Sequence, residues 1–107
     1  MTDLEIMKAA RLLLTPPGSW IQHVYARNHN GRIVHPTHKD GACFCSIGAF
    51  MRINPDRSFP IPVEFKHHMF FKCGNLITNW NDHPDRTHAE VLAEFDEVIA
   101  ELEAAQP

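Results

Sequence analysis

The sequence predicts a mainly α fold: a compact bundle of four to five helices with one small β-hairpin at about residues 22–35, in a single domain spanning 1–107. Three observations predict it. A long amphipathic stripe with a capping signal runs to the C-terminus, a second stripe opens the chain, and Asn30-Gly31 sits between two short runs rich in aromatic and branched residues. Asn-Gly tolerates the positive φ that a tight hairpin turn requires.

Residues 3–14, DLEIMKAARLLL, are good helix formers, and Ile6, Met7, Ala10, Leu13 and Leu14 fall on one side at about 100° per residue. Thr15-Pro16-Pro17-Gly18 ends this helix, because Pro16 disfavours helical geometry in the residue before it. The hairpin then pairs roughly 22–27 with 32–35, and such a hairpin needs the helices to support it. From Cys43 to Ile53 the pattern turns helical, with Cys43, Phe44, Ile47, Phe50 and Met51 on one face. Its opposite face carries Cys45, Gly48, Ala49 and Arg52, mostly small, so another backbone is expected to pack close.

Asn54-Pro55-Asp56 stops that helix, and VEFKHHMFFKC supplies the next, closed by Gly74 in the position of a C-terminal cap. Trp80-Asn81-Asp82 reads as a turn that fixes entry to the last helix, with Trp80, Trp20 and Tyr25 as a candidate aromatic cluster. In Thr87-His88-Ala89-Glu90 the Thr hydroxyl and the Glu carboxylate serve each other's unpaired backbone donors. Val91, Leu92, Phe95, Val98, Ile99 and Leu102 follow as one stripe.

Composition narrows the function classes. The net charge of −3 leaves no excess of Lys and Arg to neutralise phosphates, so general nucleic-acid binding is not expected. No apolar run approaches the roughly 20 residues of a membrane helix, and no membrane association is expected. Three cysteines behind an N-terminus with Asp and Glu, and no secretory leader, suit reduced thiols in a cytoplasm.

Two constellations carry possible chemistry. His35, His38, Cys43 and Cys45 are ligand types that zinc or nickel accepts. Their spacing argues against an ion, since thiols two apart in a helix diverge by about 200°. The main expectation is therefore no metal and no cofactor. The second constellation is a thiol nucleophile. Cys43 or Cys45 lies in the first turns of its helix, where amides and macrodipole favour a thiolate. His88 shares the inward face of Leu92, Phe95 and Ile99, and Asn81 or Asp82 could orient its ring. A buried His at a helix start is more often a packed residue bonded to a carbonyl. Gly-x-Ser-x-Gly, Walker and dinucleotide motifs are absent.

Trp20-x-Gln22, Tyr25-Ala26-Arg27 with its Asn-Gly turn, Cys43-Phe-Cys-Ser-Ile-Gly-Ala49, Trp80-Asn81-Asp82 and Thr87-His-Ala-Glu-Val-Leu92 together resemble a family of small bacterial and phage proteins known as a domain of unknown function. The resemblance spans nearly the whole chain. It directs attention to Cys45, Asn81, Asp82 and His88, offers no counterpart for His35 and His38, and implies no activity. The expected function is a small non-enzymatic interaction or accessory domain that binds a protein partner, for example a phage or mobile-element protein that binds or inhibits a host protein. The alternative is a hydrolase or transferase acting through Cys45 with His88 as base.

Overall fold

A computed structural model describes residues 1–106. Helix α1 (Asp3–Leu13) starts at Thr2, which forms a capping box with Glu5. Strands β1 (Ala26–Arg27) and β2 (Cys43–Phe44) follow, then α2 (Ser46–Ile53), α3 (Val63–Phe71), α4 (Ile77–Asn81) and α5 (His88–Ala104). The architecture is thus five helices and one two-stranded antiparallel ribbon. The radius of gyration, 13.1 Å, is that of a compact chain of this length.

The ribbon differs in its partner from the hairpin read at 22–35. Ala26 pairs with Phe44 and Arg27 with Cys43, while the Asn28–Arg32 turn closes locally and contributes only a single bridge, Arg27 to Ile33. The reason lies in Phe44. Its N–H donates to Ser19 O at 2.8 Å and its carbonyl accepts from Ile21 N at 3.0 Å, so this residue is bonded to the 19–21 segment and lies opposite Ala26 in β2. These commitments also shorten the central helix: Cys43 and Phe44 are strand, and Cys45 is the N-cap of α2. Phe44 is buried in either geometry, which is why periodicity alone assigned it to the helix.

The small face of α2 behaves as its composition requires. Gly48 lies so close to the 24–26 segment that a Cβ there would meet Tyr25 O at 1.9 Å. The opposite commitment is aromatic: Phe50 of α2, Phe65 of α3 and Phe95 of α5 pack with centroids 4.7–5.4 Å apart and join three helices at one point. Helix α1 closes the core by laying Ile6, Met7 and Ala10 against α2 and α5. Gly74, at φ +69°, turns the chain after α3. Helix α5 begins with the Thr87/Glu90 capping box, and Val91, Phe95 and Val98 are fully buried. Among the described residues no helix is long and apolar enough to cross a membrane.

Candidate functional site

Asn81 is the polar centre of the molecule. It ends the five-residue helix α4, which corrects the reading of Trp80-Asn81-Asp82 as a turn. Its Oδ1 accepts three donors: Trp20 Nε1 at 2.8 Å, Ser46 Oγ at 2.7 Å and Ser46 N at 3.1 Å. Its Nδ2 donates to Ile21 O at 3.2 Å and to Asp82 Oδ1 at 3.0 Å. One amide therefore ties α4 to the start of α2 and to the 20–22 segment. An amide 98% buried requires partners of this kind, since an unpaired buried polar group costs about 1–3 kcal/mol.

Asp82 extends the network outward. Its Oδ1 also accepts the His23 backbone N–H at 2.9 Å, and Gln22 Nε2 donates to the carbonyls of Asn81 and His83. His23 is the only non-glycine among the described residues with positive φ, at 76°. A side chain in that region is strained, and the Asp82 carboxylate is what holds it there. Nothing in the sequence around His23 marks this conformation, and the segment reads as strand.

Beside these groups lies a cleft of about 400 Å³ whose walls include His23, Tyr25, Cys45, Thr78, Asn81 and Asp82. The structure thus brings Cys45, Asn81 and Asp82 to one place, with His23 at the rim, its side chain 72% exposed. The thiol is 93% buried and accepts the Gly48 N–H at 3.3 Å. Burial pushes the Cys45 pKa up from its ordinary 9.0, helped by the charge of Asp82 and opposed by amides at the helix start. Desolvation outweighs the helix terminus here, so the expected activation of this thiol does not follow from its position.

His88 points inward, as its place on the stripe requires, but away from this chemistry. Its Nε2 lies 2.5 Å from Leu14 O and its ring stacks on Trp20 with centroids 6.1 Å apart. No hydrogen bond joins it to Cys45, and it is not among the cleft residues. It forms a link between the end of α1 and the start of α5.

His35, His38, Cys43 and Cys45 are not gathered either. His35 and His38 each turn Nδ1 to a backbone N–H two residues on, at Thr37 and Asp40. Cys43 Sγ faces Arg27 O at 3.7 Å, whereas Cys45 Sγ faces Gly48 N. The strand that replaced the first helical turn set these directions. The aromatic cluster also divides: Trp20 stacks on His88, Trp80 lies under Arg86 at 3.9 Å, and Tyr25 is half exposed.

A second surface stands out on physical grounds. Helix α3 carries bulky apolar residues on more than one face: Phe65 and Met69 face the core, while Phe70 and Phe71 face outward. With Phe59 and Leu76 they flank a groove of about 360 Å³, and all four are more than half exposed, Phe71 by 76%. Lys66 lies over the Phe59 ring at 5.0 Å, and no carboxylate lines the groove. The sequence signal was present in HHMFF, where five consecutive bulky residues cannot all face inward on one helix.

The chain belongs to a family of unknown function (DUF6197), whose model matches residues 1–101. No curated protein and no solved structure matches it.

Proposed function

We propose that this member of the family is a small non-enzymatic interaction domain that holds a protein partner in the aromatic groove beside α3. The observation that carries the reading is the exposure of Phe59, Phe70, Phe71 and Leu76 around one concave surface. Exposed apolar residues are unremarkable singly, but aromatics clustered at a groove form the anchor pattern of protein interfaces. The lining contributes Lys66 and His67 and no acid. The fitting occupant is an amphipathic helix with apolar anchors and a flanking Asp or Glu, laid into the groove. Such a domain would serve as an accessory protein of a bacterium or phage. Its three free cysteines suit action on a host protein in a reducing cytoplasm.

The alternative, a hydrolase or transferase working through Cys45, retains one favourable feature: the thiol borders a cleft with His23 at its rim. It is the weaker reading because the thiol is buried, its pKa is raised and His88 is engaged by Leu14.

The test uses two fluorescein-labelled amphipathic helical peptides with the same apolar anchors, one flanked by Glu and one by Lys, read by polarisation. The Glu-flanked peptide is expected to bind more tightly, and Phe71→Ser and Lys66→Glu each to weaken it at least about tenfold with the circular dichroism unchanged. Equal binding of the two peptides, or full binding by Phe71→Ser, would overturn the proposal. So would a dimer in sedimentation that Phe71→Ser dissociates, because the groove would then belong to a second copy.

A further inference from the structure

We propose that His68, Cys73 and Glu94 form a binding site for zinc, or a divalent cation of similar ligand preference, at the junction of α3 and α5. Helix α3 places His68 on its inner side, with the side chain only 4% exposed. The chain ends that helix at Phe71, and the turn completed by Gly74 at φ +69° returns Cys73 toward α5. Glu94 projects from α5 to meet them. One donor atom from each of the three residues lies within 4.8 Å of the other two. Among the described residues this is the one group of three or more such donors brought so close.

The donor chemistry is specific. Imidazole, thiolate and carboxylate are the three ligand types that zinc takes, at bond lengths of about 2.0–2.3 Å. Those lengths place ligand atoms about 3.3–3.8 Å apart in a tetrahedron, so a cation requires only small side-chain movements from the present spacing. His68 Nε2 now lies 2.5 Å from Glu94 Oε2, and the ion would insert between them. Cys73 and Glu94 are partly exposed, so both are free to adjust and the ion has a route from solvent.

The surroundings supply the outer partners that metal-bound imidazoles use. Glu101 Oε1 lies 3.9 Å from His68 Nδ1, the nitrogen opposite the proposed ligand atom. Glu97 Oε2 lies 3.8 Å from Nε2, and Glu97 Oε1 pairs with Lys72. Three carboxylates thus face one buried imidazole, with Lys72 and Arg86 as the cations near Cys73, a balance still negative that a divalent cation reduces. On binding, the Cys73 S–H bond breaks, its proton passes to solvent and the sulfur pair forms the bond to the metal. The three residues leave a fourth position for water. None of the three residues lines the groove, so the cobalt and alkylation readouts are separate from the peptide assay.

Cobalt(II) added to the reduced, untagged protein provides the test. One equivalent is expected to produce a thiolate-to-cobalt charge-transfer band and the visible bands of tetrahedral cobalt, which zinc then abolishes. Cys73→Ser is expected to lose the charge-transfer band and Cys43→Ser to keep it, while Glu101→Gln weakens binding roughly tenfold. Zinc is also expected to slow alkylation of Cys73 in the unsubstituted protein, mapped by mass spectrometry, which requires no folded variant. Absence of the band, its survival in Cys73→Ser, or alkylation of Cys73 at the same rate with and without zinc would overturn the site and leave a His68–Glu94 pair.

Discussion

At Cys45, two opposing effects act on one sulfur. The start of α2 offers an amide to the sulfur, which favours the thiolate, and burial removes the water that a thiolate needs. Burial is the larger effect, so the thiol is expected to react slowly with iodoacetamide at both pH 6 and pH 8, more slowly than Cys43 or Cys73. Rapid labelling at pH 6 that Cys45→Ser removes would contradict this and revive the enzymatic alternative. The residue scale is also where the sequence was least legible. Periodicity correctly turned His88 inward, because a 3.6-residue repeat determines which way a side chain faces. It could not reveal that the ring meets Leu14 O, since that contact spans 74 residues. Nor could it show Asn81 as a five-bond hub or His23 at positive φ, since both depend on where distant backbone lies.

The elements were more legible, and their ends explain where the reading held. Helix α5 was visible entire because Thr87, Glu90 and the stripe are local signals. The Thr2/Glu5 capping box of α1 is an equally local signal, though the sequence reading of that helix rested on its helix formers and its stripe. The start of α2 was not legible, because Cys43 and Phe44 became strand by pairing with residues about 16–25 positions earlier. The small face of α2 provides the sharpest test at this scale. Gly48→Ala places a methyl group against the Tyr25 carbonyl, a backbone atom that cannot rotate away. A loss of about 3 kcal/mol or more is expected in urea unfolding. Ala49→Gly on the same helix removes a small side chain without a clash, and its cost should stay near the helix-propensity difference of about 1 kcal/mol plus lost packing.

Acid stability is a property of the whole molecule, since its contributions come from several elements. Glu5 and Glu90 have pKa values below the ordinary 4.5 because each carboxylate accepts the N-cap amide of its capping box. Glu97 is lowered chiefly by its bond to Lys72, between α3 and α5. A carboxylate with a depressed folded pKa binds protons more weakly folded than unfolded. These groups therefore contribute stability that is present above pH 4.5 and lost as pH falls through their depressed values. The urea midpoint should fall as pH drops below 4.5, and Glu5→Gln with Glu90→Gln should make that fall shallower. An equally steep fall in the double variant would place the acid sensitivity elsewhere.

The Asn81 amide also bears on the order of folding. Four of its five bonds reach partners 35 to 61 residues away along the chain, so they close only after distant segments have met. Interactions of that separation are expensive to form early, whereas the capped terminal helices need no such encounter. The amide thus acts as a latch engaged late in folding, one that mainly slows unfolding and adds little to the speed of collapse.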